Sequence, residues 1–232
     1  MATNLDLEEQ EQLEDLKHFW KKYGNLISWT LVVALGAYAA WNGWNWYQRE
    51  QGAKAAGMYE ELDRAAEAGD ADRAGKVFAD LRDRFGATAF AGQGGLLAAR
   101  VQADKGKAAE AQQSLTWVAE HASEDEYRVI ARLRMAALLL DDKKYDEALK
   151  QLSTGSTPKA FEGLVADRRG DILQAQGKRE EAVAAYRQAW DLLDPTNDYR
   201  RLVDAKLTVL GAAPEAPAAA GAATGAASGA SK

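Results

Sequence analysis

Between Tyr23 and Gln48 the chain runs for 26 consecutive residues without a formal charge. Within this run, Leu26 to Trp41 is apolar on every helical face, with Leu26, Leu31, Val32, Val33, Leu35 and Trp41 as its anchoring candidates. A helix with no polar face has to be covered by protein or by lipid. The remaining sequence is polar and offers no apolar sheath, so lipid is the expected cover. About 20 such residues, rising roughly 1.5 Å each, cross a hydrocarbon layer of about 30 Å. A transmembrane anchor is therefore expected over residues 23–48.

The flanks point the same way. Five of the seven tryptophans fall between Trp20 and Trp46, grouped with Phe19, Tyr23 and Tyr47 toward the two ends of the run. Such rings concentrate at the two headgroup levels. Ala37-Tyr38-Ala39 matches a signal-peptidase site, but the residues before the run carry Asp6, Glu8, Glu9, Glu11, Glu14 and Asp15, unlike a short basic leader, and the apolar run continues past it to Tyr47. An uncleaved anchor is the reading adopted. Lys17, Lys21 and Lys22 before the span against Arg49 and Lys54 after it lean weakly toward an inside N-terminus. Gly36, Ala40 and Gly43 set small residues on one side of the span, compatible with close packing against another transmembrane helix.

A net charge of −6 and a pI near 5.1 argue against nucleic acid as a partner. The absence of cysteine removes disulfides, thiolate metal sites and cysteine nucleophiles, and two histidines, His18 and His121, do not make a histidine-rich metal site. Gly92-Gln93-Gly94-Gly95 lacks the Lys-Ser/Thr of a phosphate loop. No Gly-x-Ser-x-Gly elbow accompanies His121. No catalytic residue, metal or cofactor is expected, and the chain reads as a binding protein, not an enzyme.

A second pattern organises the rest. Gly69, Gly106 and Gly177 are each followed five residues later by an alanine (Ala74, Ala111, Ala182), and Lys143 with Ala148 fills the same slot. Four residues after each alanine comes a bulky apolar side chain: Phe78, Leu115, Leu152 and Tyr186. Twelve residues before it stand Ala99, Ala136 and Gly170, with Leu62 the exception. A helix pair needs small residues where two backbones cross, a tight turn between them, and a large residue one turn on to fill the gap. Spacings near 34 residues with two helices per unit are the mark of tetratricopeptide-type solenoids.

The fold expected is all-α: a single N-terminal transmembrane helix, then a tetratricopeptide-like α-solenoid of about four helix pairs and a C-terminal capping helix. A short acidic segment covers residues 1–22, the anchor 23–48, the repeats 49–210 and a disordered Ala/Gly/Pro tail 211–232. Unit one starts at Gln51, a few residues after the span. Unit two, from Ala89, is weakened by its glycines at about 1 kcal/mol each. Arg128, Arg132, Arg168 and Arg169 lie on first helices, whose inner faces line the groove of such a stack, and are the candidate partner contacts. No asparagine lies between Asn45 and Asn197, so the asparagine clamp used by chaperone-docking tetratricopeptide domains for a chain terminus is not expected.

Two segments carry a resemblance. Val165-Ala166-Asp167-Arg168-Arg169-Gly170-Asp171-Ile172-Leu173-Gln174-Ala175-Gln176-Gly177-Lys178 is similar to the V-A-D-L-R-G-E-x-L-x-x-x-G-x segment of the YfgM-type bacterial inner-membrane proteins, with Arg168 in place of the leucine. Ala205-Lys206-Leu207-Thr208-Val209-Leu210 is similar to their closing K-[LI]-x-x-L helix. The resemblance implies an inner-membrane protein with a cytoplasmic N-terminus and a periplasmic repeat domain, ancillary to the Sec translocon. Its implied partners are Sec subunits, a membrane-anchored prolyl-isomerase-like chaperone, secreted or unfolded polypeptides, and lipid. The alternative on the same surface is a scaffold for another envelope complex, such as outer-membrane assembly or cell division.

Overall fold

A computed structural model describes residues 7–213; the start of the acidic segment and the tail from residue 214 lie outside them. The described residues are helical and contain no strand: α1 (Leu7–Glu67), α2 (Ala71–Phe85), α3 (Ala89–Asp104), α4 (Ala108–His121), α5 (Asp125–Asp141), α6 (Tyr145–Ser153), α7 (Lys159–Ala175), α8 (Arg179–Leu192) and α9 (Tyr199–Val209). Residues up to Ala53 form one unit and those from Lys54 a second.

The apolar run lies inside α1. Leu26, Leu31, Val32, Val33, Leu35 and Trp41 are all exposed, and this is one helix long and apolar enough to cross a membrane. Two of its polar side chains are satisfied within the helix: Thr30 Oγ1 donates to the Leu26 carbonyl at 2.8 Å and Asn42 Nδ2 to the Tyr38 carbonyl at 3.0 Å. Such pairing within the helix is what a hydrocarbon environment demands. Helix α1 does not stop before Gln51. Between Gln48 and Glu67 there is no proline to break the helix, and helical hydrogen bonding continues to Gly69.

In the second unit, consecutive helices pair in the expected order, and the turns between partners repeat atom for atom. Gly69, Gly106, Lys143 and Gly177 all adopt positive φ, between 61 and 78°. The N–H of the following residue reaches back over the turn each time: Asp70 to Ala65, Lys107 to Gln102, Lys144 to Leu139, Lys178 to Leu173. This is the Schellman closure, in which a left-handed residue satisfies the last carbonyls of a helix. A fifth copy follows α9, with Gly211 at φ 67° and Ala212 N–H on the Leu207 carbonyl at 2.9 Å. By this register α9 is the first helix of a further unit. Seven residues before its turn stands exposed Asp204, where Leu62, Ala99, Ala136 and Gly170 stand in the earlier units.

The small-residue slots work as contacts. A Cβ on Gly170 would come within 2.5 Å of the Tyr186 ring, so in unit four the bulky residue after the alanine presses on the small one in the preceding helix. The glycines of α3 serve the same end. A Cβ on Gly94 would meet Leu81 at 2.7 Å, and one on Gly95 would run into Val118 and Phe78. Their propensity cost is offset by close packing of α3 on α2 and α4, around a core of Leu62, Phe78, Leu115 and Val118.

Candidate functional site

The segment from Val165 to Lys178 is tied by its side chains to α8 and α9. Asp167 on α7 is only 1% exposed. Both of its oxygens accept from Lys206 Nζ on α9 at 2.8 Å, and Oδ2 also accepts from the Tyr199 hydroxyl at 2.7 Å. Lys206 Nζ also reaches Asp171 Oδ1 at 2.6 Å, which accepts in turn from the Tyr186 hydroxyl of α8 at 2.9 Å. Arg168 stands 3.5 Å from the other Asp171 oxygen. Burial, and then the carboxylates beside them, push the Tyr186 and Tyr199 hydroxyls well above their ordinary range, so both stay protonated donors. Two carboxylates and two cations close among themselves, tying α7, α8 and α9 together. Asp167, Asp171 and Lys206 have internal partners, and the cluster acts as a clasp.

An open surface lies between the first helices. α3 packs beside α5, and α5 beside α7. Small residues set the first approach, and a cavity of about 320 Å³ opens between α3 and α5. Ala99, Ala103, Ala137 and Leu138 give it an apolar lining, while Arg100 and Arg134 stand at its rim. Arg134 Nη1 donates to the Leu96 carbonyl across the helix pair at 2.8 Å. Partial burial, and then the nearby charge of Arg100, hold its guanidinium below its usual range. Arg100 itself is only loosely paired with Asp104, at 3.9 Å. An apolar floor with forked donors at its edge suits an extended polypeptide: a hydrophobic side chain enters, and backbone carbonyls or a carboxylate meet the rim.

The arginines expected to line that groove divide differently. Arg128 and Arg132 turn the other way, toward α4 and α6; Arg128 Nε donates to the Ala122 carbonyl at 2.6 Å and its Nη1 pairs with Asp125 at 3.3 Å. Arg132 is buried and donates to the Ser156 carbonyl. Arg168 joins the clasp, and Arg169 is half-buried, with no ion pair among the described residues. Arg134 was missed, although it lies two positions past Arg132 and so on the opposite side of a helix turning about 100° per residue. The signal was the alternative stripe Ala137-Leu138, apolar yet outside the repeat's buried slots. On the span, Gly36, Ala40 and Gly43 are exposed, with open space where side chains would stand on the two glycines.

Residues 17–212 match the family model described as a tetratricopeptide repeat-like domain. A Neisseria gonorrhoeae protein named ancillary SecYEG translocon subunit is 28% identical over 205 residues, 88% of this chain and 98% of its own length. An Escherichia coli protein of the same name is 27% identical over 186 residues, covering 79% of this chain and 85% of the relative. A third so named, from Haemophilus influenzae, is 24% identical over 185 residues, 79% of this chain and 89% of its own.

Proposed function

We build on one premise, that the chain belongs to the tetratricopeptide repeat-like domain family, and propose that it is a membrane-anchored protein-binding module ancillary to the Sec translocon. The observation that carries this reading is the pairing, in one chain, of an apolar helix fit to span a membrane with a stack of helix pairs, over the length shared with relatives that bear the translocon name. The chain is an inner-membrane protein in this reading, with residues 23–48 in the bilayer, the N-terminus in the cytoplasm and the repeats in the periplasm. Tethering raises the local concentration of the binding surface around an emerging chain without any new contact. The groove between α3 and α5, with Arg100 and Arg134 at its rim, then holds unfolded stretches of translocated polypeptide and passes them on to periplasmic chaperones, one of them membrane-anchored. No chemistry on the bound chain is part of this role.

Photocrosslinkers placed at Ala103 and Leu138 test it in intact cells. Adducts with Sec subunits and with secreted chains in transit are expected. Adducts confined to outer-membrane assembly or division proteins would replace the reading with that of a scaffold for those complexes. Absence of any adduct with a Sec subunit or secreted chain would refute it.

A further inference from the structure

The opposite side of α5 holds a second cavity, of about 350 Å³, closed by α4, α6 and the loop after α6. Its inner wall is Arg132, which is 6% exposed. Among the described residues this guanidinium has no carboxylate within ion-pair distance; its hydrogen bond goes to the Ser156 carbonyl. Burial holds it below its usual range, against the pull of Asp125 on its own helix. A buried cation without a counter-charge is costly. The loop is nevertheless shaped to it: Gly155 takes a φ of 71°, and a Cβ there would collide with Arg132 Nη1. Such a group is kept in place by the fold and left with donors to spare.

The charges around the cavity are uneven. Arg128, Arg132 and Lys150 line it, against a single lining acid, Glu120. Arg128 is already engaged by Asp125. Three cations against those two acids leave one positive charge uncompensated. That balance fits a singly charged planar anion, which a guanidinium grips through parallel N–H groups, better than a doubly charged phosphate.

We propose that this cavity is a second binding site, taking the side-chain carboxylate of an acidic residue in a bound polypeptide. The carboxylate meets Arg132 from the open side of the cavity, with Lys150 closing over it and Gln151 beside them. The site faces away from the groove between the first helices and does not depend on it.

The test uses the full chain in detergent micelles at low ionic strength, titrated calorimetrically. The probes are a blocked pentapeptide with glutamate between alanines, acetylated and amidated so that it has no terminal carboxylate, its glutamine counterpart, and inorganic phosphate. The glutamate peptide is expected to bind about tenfold or more tighter than the glutamine peptide, and tighter than phosphate. Lys150→Glu, at an exposed position that leaves folding intact, should weaken it by a further factor of about ten. Arg132→Gln should abolish the preference, with its melting curve checked because it also frees the Ser156 carbonyl. Arg187→Glu, an exposed charge reversal on α8 outside both cavities, should change nothing, which separates this site from a general loss of positive charge. Equal affinity for the two peptides, phosphate binding as tightly as the glutamate peptide, or indifference to Lys150→Glu would each overturn the proposal.

Discussion

Lys206 Nζ stands 2.8 Å from each carboxylate oxygen of Asp167, across 39 residues of sequence and two helices of the stack. Neither group faces solvent freely, so each depends on the other. Lys206→Met keeps the length and removes the charge, leaving Asp167 buried with Tyr199 as its remaining partner. Loss of one member of a buried pair costs about 3 kcal/mol or more. For a repeat unit of this size that lowers Tm by roughly 10 °C. Adding Asp167→Asn should recover part of the loss; a melt unchanged by Lys206→Met would show that the pair contributes nothing.

Gly170 and Tyr186 can be tested as a pair. Gly170→Ala forces a methyl into the Tyr186 ring, and overpacking of this kind costs about 1–3 kcal/mol. Tyr186→Leu in the same chain should return some of it. A double-mutant cycle by urea denaturation with no coupling between the two positions would contradict direct contact.

Alkaline stability reports on the same helices. Unfolded tyrosines lose their proton near pH 10. Tyr186 and Tyr199 hold theirs beyond that when folded, so above about pH 10 the unfolded state binds fewer protons and stability falls. Their contribution is complete below that pH and is lost progressively above it. Urea midpoints measured from pH 9 to about 11.5 should decline, and less steeply in Tyr199→Phe. Equal slopes would mean that the Tyr199 hydroxyl titrates as if exposed.

Lys143 occupies a left-handed turn that glycine fills elsewhere, at a φ of 61°. A side chain there costs about 1 kcal/mol. Lys143→Gly should therefore stabilise the repeats, raising Tm by roughly 2–4 °C. An unchanged or lower Tm would mean that the side chain contributes contacts offsetting the strain.

On the span, Gly36→Leu fills open space in the isolated chain and should leave the melting of the repeats unaltered. Close helix packing in the bilayer tolerates no such bulk. Co-isolation of translocon subunits from membranes is expected to drop several-fold. Full retention would remove Gly36 from any helix–helix contact.

Much of this architecture was legible before the structure. The Gly/Lys-to-Ala spacing located four turns and four helix crossings because those features depend on local chemistry: a left-handed residue and two small ones. What escaped was longer in range. The continuity of α1 depends on missing stop signals over twenty residues, a weaker cue than any motif. Gly92, Gly94 and Gly95 read as defects, since propensity ignores the neighbours that leave no room for a methyl. The direction of Arg128 and Arg132 follows from the helix's rotation about its own axis, which a list of first helices does not contain. The segment around Asp167 was recognisable by similarity, yet its purpose required Lys206 and Tyr199, thirty-odd residues away, to be brought against it.

Asp204 has a bearing on how such a chain changes length. A junction accepts a duplicated repeat where it presents an apolar crossing point to the newcomer, and the last described helix presents a carboxylate there. Inserting a unit after α9 would bury that charge, whereas inserting one between units two and three would copy a compatible seam. Variation in repeat number among relatives should therefore arise before α7, with the α7–α9 block passed on as one indivisible piece.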